Sequence, residues 1–239
     1  MLPPLPTEFA VTRDALHQIA FFVLGRLRYQ AVGRMGLRPT PSGFGTPEFE
    51  GRVARVEGDL LVYEQEGNIA TRTITTVREA AEFVGLDYQV VWFEDFHDPL
   101  EPVDTDLRLP VDFESAHVLG RWFAFGFDVL QRLRSQTAAE EAASEPQLWP
   151  EHFDAAVEMG NEVEDRRATY GASPGDRAHP TPYLYVSAWG DIDRSDLYWN
   201  DDSFNGSSLP YDQLLETSDP AGRALEFLLA GVDALGADG

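Results

Sequence analysis

The chain has 239 residues, of which 43% are hydrophobic and 12% aromatic, a composition that supports a packed core and excludes a disordered chain. It contains no cysteine and no lysine, which excludes disulfides, thiolate metal sites, cysteine nucleophiles, Schiff bases and phosphate-loop lysines. The chain contains 18 arginines and 41 acidic residues. Its formal charge of −23 argues against a nucleic-acid partner such as DNA or RNA.

Two further expectations concern the membrane and export. No stretch of about 18 apolar residues occurs, so we expect no membrane span. The N-terminal segment MLPPLPTEF has neither a basic region nor a sustained apolar region, which argues against a secretory signal. We therefore expect a cytoplasmic protein with no membrane partner.

The first predicted element is a long helix over residues 12–32. Leu16 and Ile19 belong to a series of apolar residues at helical spacing, and Thr12 is in position to cap the N-terminus. The stretch that follows, 34–49, is rich in glycine and proline and predicts a strand followed by a loop.

A three-stranded meander is predicted over residues 51–75, because three β-prone runs are separated by Glu-Gly-Asp and Glu-Gly-Asn turns. Thr76 and Glu79 have the spacing of a capping box, so a short helix is expected at 77–84. A further strand is predicted at 88–95.

The second half of the chain begins with another long helix, 113–136, for which Asp112 is the expected N-cap. Three antiparallel strands follow, in the segments EHFDAAVEMG, EDRRATYGAS and PYLYVSAWG. The last predicted element is a helix at 220–235, because Asp219 followed by Pro220 is a typical helix start.

These elements predict an α+β fold of antiparallel β-meanders backed by helices, in a single globular unit over residues 1–239. Residues 9–95 and residues 112–236 each contain a long helix, a three-stranded meander and a shorter helix. This repetition suggests two pseudo-repeated halves that pack together.

Strand alternation in EHFDAAVEMG separates a polar side from an apolar side. His152, Asp154 and Glu158 lie on the polar side, whereas Phe153 and Val157 are expected in the core. His152 and Asp154 are two residues apart, which places their side chains roughly 7 Å apart on one face. A histidine oriented by a carboxylate is a workable general base, so these two are the predicted catalytic residues.

The strand in PYLYVSAWG carries aromatic side chains on its outward side. Tyr183, Tyr185 and Trp189 alternate with Leu184 and Val186, which are expected in the core. If the core-facing sides pack together, the outward sides of the strands form one surface. Aromatic walls with few polar groups are typical of small-ligand pockets. The predicted ligand-binding residues are Trp149, Glu158, His179, Tyr183, Tyr185 and Trp189.

Other interpretations of this surface stay open. It also fits a half-exposed sheet face that the loop 190–209 and Trp149 partly cover. The first functional hypothesis is therefore a small-molecule-binding protein or an enzyme of unknown reaction. The alternative is a protein-interaction or homo-oligomerisation module without catalysis. A third hypothesis is an accessory protein that has no pocket.

The sequence assigns no metal and no cofactor. In the acidic stretch 191–202, Asp196 occupies the position where a calcium loop requires glycine. The five histidines lack the HxxxH and HxH spacings of zinc sites. GxSxG, phosphate-loop and GxGxxG motifs are absent as well.

Four arginines lie close together in the sequence near the end of the first predicted helix. These residues are Arg26, Arg28, Arg34 and Arg38. They are close enough in sequence to form a local anion-binding cluster, even though the chain as a whole is strongly acidic.

The order of four segments is distinctive: LHQIAFFVLGRLR, LWPEHFDAAVE, YGASPGD with PYLYVSAW, and LPYDQLL with a closing helix. In this order the chain resembles a family of uncharacterised, largely actinobacterial-type bacterial proteins that is catalogued as a domain of unknown function. The resemblance extends from about Asp14 to Leu235. The residues that match the family pattern are Leu16, His17, Trp149, Phe153, Asp154, Pro174, Gly175, Tyr183 and Tyr185. The resemblance implies an intact folding unit and carries over no activity, cofactor or catalytic residue.

Overall fold

The computed structural model describes residues 2–87, 103–164 and 166–236. The helices are α1 (Phe9–Ile19), α2 (Arg26–Val32), α3 (Val77–Phe83), α4 (Phe113–Gln136), α5 (Tyr211–Leu215) and α6 (Pro220–Gly236), with a π-helical segment at Ala20–Gly25. The strands are β1 (Arg38–Thr40), β2 (Gly43–Gly45), β3 (Arg52–Glu57), β4 (Leu60–Gln65), β5 (Asn68–Thr73), β6 (Gln147–Trp149), β7 (Asp154–Met159), β8 (Ala168–Ser173), β9 (Tyr183–Ala188) and β10 (Gly206–Pro210).

The strands form two five-stranded antiparallel sheets with the orders β1-β2-β3-β4-β5 and β10-β9-β8-β7-β6. Each strand lies beside its neighbour in sequence, so each sheet is a simple meander. The predicted α+β class with antiparallel meanders and helices is therefore confirmed, with five strands in each sheet where the sequence predicted a three-stranded meander in each half. Within the described residues, none of the helices has the length and apolarity required to cross a bilayer.

Contacts divide the chain into two compact units. The first unit consists of Leu5–Arg121 and Leu148–Phe153. The second unit consists of Met1–Pro4, Trp122–Gln147 and Asp154–Gly239. The division therefore falls inside α4, whereas the predicted halves begin and end outside this helix.

The first unit opens with one continuous helical stretch, from α1 through the π-helical segment to α2, close to the predicted 12–32. The predicted cap at Thr12 is wrong, because Thr12 is fully buried inside α1. Its hydroxyl oxygen accepts a hydrogen bond from the backbone N–H of Asp112 at 3.0 Å. This contact joins residues that are distant in sequence, so local sequence cannot indicate it. It occupies the hydroxyl oxygen that an N-terminal cap requires.

The rest of the first unit follows the sequence closely. The predicted meander 51–75 is present as β3, β4 and β5. The capping box is also present, since the Thr76 hydroxyl accepts the backbone N–H of Glu79 at 3.1 Å. The stretch 34–49 forms the short strands β1 and β2, where we predicted one strand and a loop. The strand predicted at 88–95 lies outside the described residues.

In the second unit, α4 packs on one face of the C-terminal sheet. A Cβ at Gly126 would lie 2.6 Å from the Cβ of Ala172 on β8, so glycine permits the close approach of helix and sheet. The same face buries Leu184 and Val186 of β9 completely. The predicted alternation of β9 is thereby confirmed, and its tyrosines lie on the opposite face of the sheet.

His17 of α1 is an almost buried histidine inside the first unit. Its Nε2 lies 3.0 Å from the carbonyl oxygen of Pro150 and 3.1 Å from that of Glu151. Its ring stacks on Phe153 with centroids 5.0 Å apart and an interplanar angle of 4°. Burial lowers the pKa of His17 from 6.5 to about 4, although both carbonyls oppose the shift. At neutral pH the ring is therefore uncharged, and Nε2–H donates to the two carbonyls.

We expect His17 to make the stability of the protein depend on pH between 6.5 and 4. In this window the unfolded chain binds a proton on His17 and the folded chain does not. The free energy of unfolding therefore falls as the pH drops through the window, by up to about 3 kcal/mol from this residue. Urea unfolding at several pH values should show this loss in the wild type and a smaller loss in His17→Gln. Parallel pH curves for the two proteins would contradict the prediction.

Candidate functional site

The antiparallel register of the C-terminal sheet places Ala156, Gly171 and Tyr185 in one row across β7, β8 and β9. Side chains in such a row lie on the same side of a sheet. We call the side that carries Asp154, Gly171, Tyr183 and Tyr185 the tyrosine face. It is the face opposite to the one on which α4 packs.

Tyr185 lies flat across the middle of the tyrosine face. A Cβ at Gly171 would lie 2.4 Å from Cζ of the Tyr185 ring, so only glycine leaves room for the ring on β8. By crossing β8, the Tyr185 hydroxyl reaches β7 and donates a hydrogen bond to Oδ2 of the buried Asp154. Burial, followed by the negative charge of Asp154, raises the pKa of Tyr185 well above its ordinary value. The hydroxyl therefore stays protonated and remains a donor.

Tyr183 makes a second tyrosine–carboxylate pair at the edge of the face. Its hydroxyl donates to Oδ2 of Asp176 at 2.6 Å. The other oxygen of Asp176 accepts the backbone N–H groups of Ala178 and His179 at 2.6 and 2.8 Å. Burial and the bond to Asp176 both raise the pKa of Tyr183. Asp176 thus fixes the turn before β9 and the hydroxyl of the first tyrosine of that strand.

His179 is the one titratable nitrogen base among these side chains, and a buried carboxylate orients it. Its Nε2 lies 2.8 Å from Oδ2 of Asp201, whose side chain is only 5% exposed. Its Nδ1 lies 3.8 Å from Oδ1 of Asp176, which is longer than a hydrogen bond. The His179 side chain is 24% exposed, so solvent reaches part of the ring.

The carboxylate of Asp201 is held on both oxygens. Oδ1 accepts the backbone N–H of Ser203 at 2.9 Å and the Ser203 hydroxyl at 2.6 Å, while Oδ2 faces His179. Burial alone would raise the pKa of Asp201, but the hydrogen bonds from Ser203 and Ser208 outweigh it and lower the pKa. Asp201 is therefore an ionised carboxylate in a fixed orientation.

A cluster of aromatic rings surrounds His179. The His179 ring lies 4.4 Å from the Tyr183 ring, centroid to centroid, and the Tyr183 and Tyr185 rings are 6.0 Å apart. Phe204 lies 6.1 Å from Tyr185 and 6.2 Å from His179, with both pairs edge-on. Phe204 stands in a tight loop that the Asp201–Gly206 bridge closes. The rings form an apolar wall beside the partly exposed imidazole.

Trp189 lies at the other end of the tyrosine face, just past β9. Its indole N–H donates to the hydroxyl of Thr169 at 3.0 Å, and 50% of the residue is exposed. The guanidinium of Arg167 lies 4.8 Å from the centre of the indole and also donates to Glu158 at 3.0 Å. The predicted residues Glu158 and Trp189 therefore share one patch, which is separate from the rings around His179.

The predicted pair of His152 and Asp154 rested on an incorrect premise. Strand β7 begins at Asp154, and His152 lies exposed in the turn before it. Phe153, between the two residues, has a φ of 55°, which breaks the strand alternation that placed both side chains on one face. Asp154 instead accepts from Tyr185. Trp149, at the end of β6, belongs with His152 to the first unit.

Sequence reasoning missed three residues of this site: Asp176, Asp201 and Phe204. Asp176 follows a Ser-Pro-Gly turn, a pattern typical of a simple connection between strands. Asp201 lies in the acidic stretch 191–202, a composition typical of an exposed loop, whereas the residue is 5% exposed. No local pattern distinguishes Asp201 from its exposed neighbour Asp202, because their difference arises from the loop conformation.

Surface cavities and possible metal ligands were the other candidates for a site in the second unit. One surface cavity of about 280 Å³ lies between the segment Leu197–Asn200 and α6, and another of about 330 Å³ lies at the end of α4. The ionisable residues that line them are Arg134, Tyr198, Arg223 and Glu226, with no histidine. In the described parts of the chain, no group of three or more His, Cys, Asp or Glu side chains is arranged to hold a metal ion.

Comparison with known proteins gives no relative, since no family model, no curated protein and no solved structure matches the chain. The resemblance to an uncharacterised bacterial family therefore stays a prediction.

Gly171→Ala should disturb the tyrosine face and lower the stability of the protein. The new methyl group would displace the Tyr185 ring and weaken its bond to Asp154, at a cost of about 1–3 kcal/mol. Denaturant unfolding measures this cost, and near-UV circular dichroism reports the tyrosine environment. Gly236→Ala is the matched control, because a Cβ there meets no atom within 4 Å. Equal stability of the two variants would show that Tyr185 does not need the space above Gly171.

Proposed function

We propose that this protein binds a small molecule at the tyrosine face, with His179 as the group that exchanges a hydrogen bond or a proton with the ligand. One observation carries the proposal. A half-buried imidazole is held at Nε2 by the buried carboxylate of Asp201, while its Nδ1 lies 3.8 Å from Asp176, beyond hydrogen-bonding distance.

The partners of His179 define its chemistry. A carboxylate only accepts hydrogen bonds, so neutral His179 carries its proton on Nε2 and donates it to Asp201. The lone pair on Nδ1 is then an acceptor for a ligand O–H or N–H. Asp201 is a positioning residue, since it orients the imidazole and stabilises the charge if His179 takes up a proton.

The surroundings of His179 limit the class of ligand. Asp176 and Asp201 lie beside the ring, and Asp154 lies under Tyr185, so carboxylates outnumber the guanidinium of Arg194, which donates to the carbonyl oxygens of Asp201 and Phe204. An anionic ligand would be repelled, whereas a neutral or cationic one would not. The rings of Tyr183 and Phe204 offer an apolar wall for a ring or alkyl group. The proposal is therefore a neutral or cationic ligand with at least one hydrogen-bond donor and an apolar part.

A thermal-shift screen of the purified protein against neutral and cationic metabolites tests this proposal. A compound that binds the folded state raises the unfolding midpoint by mass action. We expect the shift caused by a hit to be lost, or reduced by about tenfold in apparent affinity, in His179→Gln. Glutamine can still donate to Asp201 but presents no atom in place of Nδ1. Tyr185→Phe should weaken the same hits, because it removes the hydrogen bond to Asp154 that fixes the adjoining ring.

His152→Gln is the matched control, since it removes an exposed imidazole from the turn before β7. Hits that survive His152→Gln and fail in His179→Gln support the proposed site. Hits that depend on His152 and not on His179 would overturn it in favour of the residue predicted from strand alternation. A screen without any hit would also contradict the proposal.

A further inference from the structure

The positive charge of this protein is concentrated in one stretch. None of the 41 acidic residues lies between Asp14 and Glu48, although Arg26, Arg28, Arg34 and Arg38 all do. In a chain with a formal charge of −23, this stretch carries a local charge of opposite sign. We call these four residues the arginine cluster.

The fold of the first unit brings members of the arginine cluster together. Helix α2 carries Arg28 and ends at Gly33, where the chain reverses toward β1. The guanidinium of Arg28 donates from Nη1 to the carbonyl oxygen of Gly36 across this reversal. Burial lowers the pKa of Arg28, and the positive charges of Arg34 and Arg38 lower it further. Because Gly36 lies two residues from both Arg34 and Arg38, the bond to Gly36 holds Arg28 beside the segment that carries the other two guanidinium groups.

The carboxylate of Asp87 partly offsets the charge of Arg26, but Arg28, Arg34 and Arg38 form no ion pair within the part of the chain that the structure describes. Elsewhere arginines pair with acids, as in Arg134–Glu145 at 2.7 Å and Arg167–Glu158 at 3.0 Å. No member of the arginine cluster makes an ion pair with a carboxylate of residues 2–87, 103–164 or 166–236. The hydrogen-bond partners of Arg26 and Arg28 are neutral carbonyl groups, of Asp87 and Gly36.

Two donors of the cluster are buried without an acceptor. Arg26 is only 4% exposed. Nε of Arg26 and Nε of Arg28 donate to no acceptor among the described residues. A guanidinium has five N–H donors, so several remain for an additional acceptor in each side chain. Arg34 and Arg38 are exposed and can reach a ligand from solvent.

We propose that the arginine cluster binds the phosphate group of a small molecule, with Arg28, Arg34 and Arg38 as its ligands. A phosphate presents several acceptor oxygens, and the planar guanidinium fork matches two of them at once. Its negative charge would replace the mutual repulsion of the arginines with attraction. A competing explanation is structural, because cations are also favoured at the carboxyl end of a helix such as α2.

The test is a titration of the wild-type protein with inorganic phosphate. Binding is measured in two ways, as a shift of the thermal unfolding midpoint and as heat in isothermal titration calorimetry. Phosphate replaces chloride at constant ionic strength, because any salt stabilises a chain of this charge by screening. We expect a saturable rise of the midpoint in phosphate. The apparent affinity should fall by at least about tenfold in Arg34→Gln/Arg38→Gln, because charge-assisted hydrogen bonds are lost. Glycerol 3-phosphate in a parallel titration distinguishes free phosphate from a phosphate ester, according to which binds more tightly.

Arg108→Gln/Arg132→Gln is the matched control, since it removes the same charge from two exposed positions outside the cluster. The control should keep the wild-type affinity for phosphate. A linear response without saturation, or equal affinity in the two double variants, would overturn the proposal. A loss of several degrees in the midpoint of Arg34→Gln/Arg38→Gln without phosphate would also overturn it, because the arginines would then serve the fold.

Discussion

The tyrosine face depends on the absence of a side chain at Gly171. Because β8 leaves a gap there, the ring of Tyr185 crosses from β9 to β7 and brings its hydroxyl to Asp154. The position of that ring determines the neighbouring contacts, since Tyr183 and Phe204 both pack against it. His179 in turn packs on Tyr183 and Phe204. One backbone position thus fixes a series of aromatic contacts that ends at the titratable side chain.

The acidic residues of this chain have two distinct uses. Some act as local acceptors, as Asp112 does for the backbone N–H and the hydroxyl of Ser115 at 2.8 Å, which lowers the pKa of Asp112. Others orient side chains of the proposed ligand site, as Asp201 does for His179. An excess of acid therefore does not imply a uniform surface. The two proposed sites differ in sign, because carboxylates surround His179 and guanidinium groups form the arginine cluster.

The sequence predicted the features that arise from local patterns. Helix α4 and the capping box at Thr76 follow from nearby residues, and so does the alternation of Leu184 and Val186 in β9. The candidate site was predicted in part, since His179, Tyr183 and Tyr185 were selected from it. The strand alternation that paired His152 with Asp154 does not extend to His152, because the positive φ of Phe153 cannot be read from residue types alone. Asp201 could not be selected because a loop conformation and a distant histidine bury it, and neither leaves a local signal.

The π-helical segment Ala20–Gly25 gives the first helix two different registers. In an α-helix each residue advances the side-chain direction by about 100°, and a π-helical insertion adds a residue without adding a full turn. The six residues of this segment are all buried, so the irregularity lies inside the protein. Positions before Ala20 and after Gly25 therefore follow separate helical wheels. Deleting one residue of this segment would remove the extra residue of the π turn, so a regular α-helix would carry Arg26 and Arg28 close to their present directions.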